Sequence, residues 1–265
     1  MSALTGAIVM RSISLFFTCG RKTLIHLKKP TSDLVKKKKY RYITEGVSMK
    51  AQHAKMIELL KKKTKFSKFE LETLCKIYKK LTSIPGQKTG ITVLARGAPQ
   101  IVQTIEGIDR TIFRELLHNT FDIITEDTLI ERMFCCWDRE CEGAIRLESW
   151  IIGLDVFLKG NLKEKMEFCF KVYDLNGDGF ITKDEMFQLF KNCLIKQPGE
   201  EDPDEGVRDL SELVLKRLDV DHDGKISFQD YQTVIKEEPL LLEAFGQCLP
   251  TWENCSAFLT TLQPD

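Results

Sequence analysis

Two stretches of twelve residues place oxygen-bearing side chains at intervals that suit one hard cation. In Asp174-Leu175-Asn176-Gly177-Asp178-Gly179-Phe180-Ile181-Thr182-Lys183-Asp184-Glu185, the side chains of Asp174, Asn176 and Asp178 fall at the first, third and fifth places. Gly179 permits a sharp bend, Phe180 offers its carbonyl, Thr182 can hold a water and Glu185 closes the loop with both carboxylate oxygens. Calcium takes six to eight oxygens at about 2.3 to 2.6 Å, and this spacing wraps the chain once around such an ion. The stretch fits the EF-hand loop at every diagnostic place. Residues 219 to 230 repeat the scheme with Asp219, Asp221, Asp223, Gly224, the Lys225 carbonyl, Ser227 and Asp230. The closing aspartate is one methylene shorter than glutamate, which predicts weaker calcium binding or competition by magnesium. A fourth carboxylate acts in the opposite direction.

The elements around these loops must be helices. Met166, Cys169, Phe170 and Tyr173 precede the first loop at helical spacing, and Leu210, Val214, Leu215 and Leu218 precede the second. Thr182 with Glu185, and Ser227 with Asp230, read as capping boxes, so the residues that would hold metal also start the exiting helices. Ile181 and Ile226 occupy equivalent places and are expected to pair as a short antiparallel ladder. A third copy, Asp138 to Ser149, keeps its glycine and Ile145 but has Ser149 at the closing place and the longer Glu140 and Glu142 where short ligands fit. Calcium binding is not expected there. A fourth copy without ligands must precede Phe113, with Ile108 as its ladder residue.

Helical patterning runs from Ala51 almost to the end, with expected segments at about 126–137, 149–158, 162–173, 183–195, 207–218 and 229–245. Ser67 and Glu70 open a helix whose buried side is expected to carry Phe69, Leu74, Tyr78 and Leu81. Residues 82–108, broken by Pro85, Gly86, Gly90, Gly97 and Pro99, read as a long loop. The fold class is all-α, with EF-hand pairs in two lobes. The expected division is a basic leader at 1–48, a structural lobe with two degenerate units at 49–160, a metal-binding lobe at 161–250 and a tail at 251–265.

Composition excludes several functions. The 265 residues are 43% hydrophobic, enough for a core, and 39 basic side chains balance 39 acidic ones. Residues 1–50 hold 11 of the basic and 2 of the acidic residues, leaving an acidic globule behind a basic leader. Nucleic acid is not the expected partner. The leader reads as a mitochondrial presequence, as a polybasic tail, or as an upstream start before Met49. Neither Ser2 nor Lys50 follows a methionine as the glycine of an N-myristoylation signal would, and no apolar run is long enough for a transmembrane segment. Nine cysteines without repeated spacing suggest a reduced, cytoplasmic setting, and a zinc site from Cys135, Cys136 and Cys141 lacks a second ligand pair. Among His26, His53, His118 and His222 no nucleophile, base and orienting group come together, so catalysis is not expected.

The run Phe170 to Met186, the acidic connector Gln197 to Gly206, the loop Asp219 to Asp230 and the stretch Leu240 to Pro250 together closely resemble the calaxin family, over about residues 49–250. The chain is identified as a divergent member or close paralogue. The resemblance implies a calcium sensor related to the neuronal calcium sensors, associated with outer-arm dynein and its docking complex on the axoneme of motile cilia and flagella. It carries the metal role to Asp174, Asn176, Asp178, Phe180, Thr182 and Glu185, and to Asp219, Asp221, Asp223, Lys225, Ser227 and Asp230. The family's counterpart of 138–149 looks able to bind metal. Here it does not, and the leader and the insertion at 82–108 have no counterpart.

The expected mechanism is a sensor in which calcium neutralises crowded carboxylates and an apolar groove opens to a partner helix. Met186, Phe187, Phe190, Leu194, Leu241, Leu242 and Phe245 could line that groove, or could be ordinary core. A cytosolic calcium buffer that binds without opening is the alternative, and a neuronal-sensor-like modulator of another target is a third reading.

Overall fold

The computed structural model describes residues 51–83, 107–191 and 204–264. The leader, most of the 82–108 segment, most of the acidic connector, Leu194, Cys19 and Cys193 lie outside the described residues. Helix α1 covers 51–63, followed by α2 (Lys68–Thr82), α3 (Arg110–Phe121), α4 (Asp127–Trp137), α5 (Leu147–Lys159), α6 (Leu162–Tyr173), α7 (Lys183–Phe190), α8 (Glu205–Leu218), α9 (Phe228–Glu237) and α10 (Trp252–Thr261). The fold is mostly helical, as the patterning predicts. Among the described residues its strands are the two-residue β1 (Phe180–Ile181) and β2 (Ile226–Ser227).

Local chemistry sets most helix starts. Ser67 and Glu70 form a complete capping box, as do Asn161 and Glu164, while Asp109 accepts the Ile112 N–H to open α3. The expected face of α2 is only partly right. Leu74 and Tyr78 are buried but Phe69 is 46% exposed, because the buried stripe runs through Leu71, Leu74, Cys75 and Tyr78. The helix expected over 229–245 stops at Glu237, and a 3-10 turn follows at Pro239–Glu243. Pro239 has no N–H to continue an α-helical ladder, which accounts for the break.

Aromatic rings bind α3, α4, α5 and α6 together. Trp137 packs on Phe113 at 5.2 Å and on Phe157 at 4.9 Å between ring centroids, and Phe157 reaches Phe168 of α6 at 5.4 Å. Such edge-to-face contacts contribute about 0.5 to 1.5 kcal/mol each beyond area burial. Gly153 lies where a Cβ would meet the Trp137 ring at 2.4 Å, so only glycine lets α5 approach α4 this closely. Within 251–265, read from the sequence as a tail, Trp252–Thr261 form α10. Its Phe258 and the following Leu262 are buried, Phe258 packs on Phe121 at 5.3 Å, and Asn254 Nδ2 donates to the Phe121 carbonyl at 3.0 Å. Helix α10 therefore packs against both α3 and α5.

Candidate metal centre

Loop 174–185 joins α6 to α7, and its backbone is drawn around the first aspartate. Asp174 Oδ1 accepts from Gly177 N at 2.7 Å and Oδ2 from Gly179 N at 2.9 Å. Gly179 has φ +89°, a left-handed conformation that a side chain would strain. At the closing end, Thr182 caps α7, and its N–H and hydroxyl both donate to Glu185 Oε2, at 2.9 and 2.8 Å. The other oxygen, Oε1, accepts from Asn176 N across the loop at 3.1 Å. Both oxygens of Glu185 thus already face the interior of the turn. Asp178 Oδ1 accepts from the Phe180 N–H at 2.9 Å.

Loop 219–230, between α8 and α9, has the same plan. Gly224 N donates to Asp219 Oδ2 at 2.9 Å, and the Lys225 N–H donates to Asp223 Oδ1 at 3.1 Å. Ser227 N and Oγ donate to Asp230 Oδ2 at 3.0 and 2.5 Å. Among the described residues no bond runs from Asp221 N to Asp230, the counterpart of the one that Glu185 makes. The missing methylene leaves the second oxygen short of the loop's far side. Asp219, Asp221 and Asp223 each present an oxygen within 4.8 Å of the others.

The two loops are coupled. Ile181 pairs with Ile226 and Phe180 with Ser227 in an antiparallel ladder, the arrangement expected from the sequence. Lys225 Nζ also lies over the Phe180 ring, 3.4 Å from its centroid, a contact that sequence reading missed. Asp174, Glu185, Asp219 and Asp230 are all buried. Among the described residues none of these four is ion-paired with a lysine or arginine. Buried carboxylates without a countercharge are costly, and donor sets made wholly of oxygen match a hard divalent cation. The residues fit calcium.

The decayed loop keeps the scaffold and changes the charges. Asp138 Oδ2 accepts from Gly143 N at 2.7 Å, as in the other loops. Arg146, at the ninth place, puts its guanidinium on Glu140 at 2.5 Å and grips both oxygens of Glu142 at 2.6 Å. A cation built into the chain stands over the acids that would otherwise meet a metal. Hydrogen bonding to Glu142 holds the Arg146 guanidinium still more firmly protonated. Ile145 pairs with Ile108, the partner expected for it, and Tyr78 OH donates to the Ile145 carbonyl at 3.0 Å.

Arg132 of α4 was also missed, because its partners are backbone atoms in another unit. Its guanidinium donates to the Lys171 carbonyl at 2.9 Å and to the carbonyl of Asp174 itself, capping the end of α6 where the first metal loop begins. Of the possible groove residues, Met186, Phe190 and Phe245 are buried core, and Phe187, Leu241 and Leu242 are partly buried against it. Phe245 stacks on Phe190 at 5.7 Å and packs on Tyr173 at 5.0 Å. The Tyr231 hydroxyl donates to the Leu242 carbonyl, so the segment after α9 fills the space between α6, α7 and α9.

Residues 163–236 match the family profile of an EF-hand domain pair. The chain is similar to calaxin of Homo sapiens, at 48% identity over 74% of this chain and 86% of that protein, and to calaxin of Bos taurus, at 43% over 84% and 92%. It is more distantly similar to a recoverin family protein of Dictyostelium discoideum, at 32% identity over 41% of this chain and 55% of that protein. Among the described residues no helix is long and apolar enough to cross a membrane.

Proposed function

The chain belongs to the calaxin family of calcium-binding sensors, and from that premise we propose that it modulates outer-arm dynein or its docking complex in motile cilia and flagella. The supporting observation is the pair of coupled loops with four buried carboxylates that, among the described residues, no basic side chain neutralises. In this reading Asp174, Asn176, Asp178, Phe180, Thr182 and Glu185 hold one calcium. Asp219, Asp221, Asp223, Lys225, Ser227 and Asp230 hold a second, for which magnesium competes. The bound ion supplies positive charge that lets these carboxylates crowd together. Glu185 closes the first loop, Thr182 passes that movement to α7, and the Ile181–Ile226 ladder carries it to the second loop.

Residues 49–160 act as a structural lobe and 161–250 as the responding one. Regulation through protein partners, without catalysis, is the activity, and the axoneme is the proposed location. Burial of Phe245 against Phe190 and Tyr173 favours one competing reading, a cytosolic buffer whose groove never opens. Calcium-dependent capture on a hydrophobic matrix separates the two. A sensor is retained only with calcium, and a buffer flows through in both conditions. The ciliary assignment is tested by adding the purified chain to axonemes stripped of outer arms and then to stripped axonemes reloaded with outer-arm dynein and docking complex. Calcium-dependent co-sedimentation with the reloaded axonemes alone is expected, and equal sedimentation with both rejects it.

A further inference from the structure

Cys169 of α6 and Cys248, in the irregular stretch after the 3-10 turn, lie 79 residues apart in sequence with their Sγ atoms 3.3 Å apart. Both are fully buried. The approach is fixed from several sides. Tyr173 OH donates to the Gly246 carbonyl at 2.7 Å and lies 3.3 Å from Cys248 Sγ. The N–H groups of Cys248 and Leu249 both donate to Glu243 Oε1 at 2.8 Å, folding the segment back on itself. A disulfide needs the sulfurs about 1.3 Å closer than this, a movement within the reach of side-chain rotation.

We propose that Cys169 and Cys248 form a redox modification site, at which a peroxide joins them in a disulfide that staples the 239–249 segment across α6. One thiolate sulfur attacks a peroxide oxygen, the O–O bond breaks, and a sulfenic acid and water form. The second sulfur attacks the sulfenic sulfur and expels its hydroxyl group as a second water. The two thiols lose two hydrogens and two electrons, and the peroxide is reduced. Burial pushes the Cys169 thiol well above the ordinary range, so the closed form reacts slowly and oxidation proceeds when the 244–249 stretch lifts. The bond would enclose both metal loops in one covalent ring and hold Phe245 over Phe190. A groove held shut against a partner helix is a consequence that rests on the sensor reading; the formation of the bond does not.

The full chain, without metal and with calcium, is treated with hydrogen peroxide, denatured, alkylated and digested without reductant. The expected product is a linked peptide pair containing Cys169 and Cys248, lighter than the two reduced peptides by two hydrogens. It should persist when the exposed Cys135 and Cys141 are both replaced by serine, a variant that leaves the core untouched. In Cys248→Ser, Cys169 should be recovered alkylated. Recovery of Cys169 and Cys248 as alkylated thiols after Cys135 and Cys141 have oxidised overturns the proposal. So does linkage of either to any other cysteine.

Discussion

The loops at 174–185 and 219–230 and the loop at 138–149 share a backbone and differ in where their positive charge comes from. In all three the first aspartate accepts the N–H of the sixth residue, at 2.9, 2.9 and 2.7 Å. In all three the fourth residue is left-handed, with φ of 75° at Gly177, 60° at His222 and 52° at Cys141. The turn is therefore held by an aspartate and a glycine, and its shape outlasts the loss of a metal role. Metal fitness resides in the third, fifth, ninth and twelfth places. In the decayed loop Arg146 occupies the ninth place and neutralises the third and fifth, while Ser149 leaves the twelfth without a carboxylate.

The largest effect that would sharpen this contrast is loss of the closing ligand. Glu185→Gln should weaken calcium binding at the first loop on the order of 100-fold, read by isothermal titration in excess magnesium. Asp230→Ala should cost only about tenfold, because one of its oxygens already falls short. Equal losses at the two sites would break the argument from side-chain reach. Next comes a gain. Restoring short ligands with Glu140→Asp and Glu142→Asp, removing the resident cation with Arg146→Thr, and closing the loop with Ser149→Glu should add a third binding event that the unaltered chain lacks. Three comparable sites in the unaltered chain would show that Arg146 does not stand in for the ion.

Arg132→Ala tests how the first metal loop is tied to the other half of the molecule. Loss of its hydrogen bonds to the end of α6 should cost about 1 kcal/mol of stability and weaken the first site more than the second. Equal weakening of both sites in titration would mean that Arg132 acts only on global stability.

What the sequence made legible follows from range. The turns at 174–185 and 219–230 and their capping boxes were readable because caps and glycines lie within a dozen residues of one another, and the Ile181–Ile226 ladder because both isoleucines hold the eighth place of their loops. The side-chain contacts of Arg132 and Lys225 escaped because their partners, the carbonyls at the end of α6 and the Phe180 ring, belong to other units. Arg146 did leave a local signal, a basic residue at the ninth place after two glutamates. Helix α10 was missed for another reason. Asn254 and Phe258 find their contacts on Phe121, more than a hundred residues back, and its short pattern with exposed Trp252 gives little sign of burial.

The smallest expected effect concerns how the amino-terminal half stabilises its acids. Glu70 closes the capping box of α2 and also pairs with Lys159 Nζ at 2.8 Å, with side chains 8% and 22% exposed. Burial alone would raise its carboxyl, but hydrogen bonds from Lys159 and Ser67 outweigh that and hold it below the usual value of 4.5. A carboxyl depressed in the folded state contributes stability above its unfolded value and loses it as pH falls through the folded one. Glu70→Gln keeps a side chain that can cap the helix and removes only the charge. The melting temperature should therefore drop slightly at neutral pH, by the equivalent of under about 1 kcal/mol for a partly exposed pair. The difference should shrink as pH falls below 4.5. It should be the same with and without calcium, since Lys159 is the countercharge here. A difference that instead grew on adding calcium would tie this half to the metal and erase the distinction between acids neutralised from within the chain and acids that await an ion.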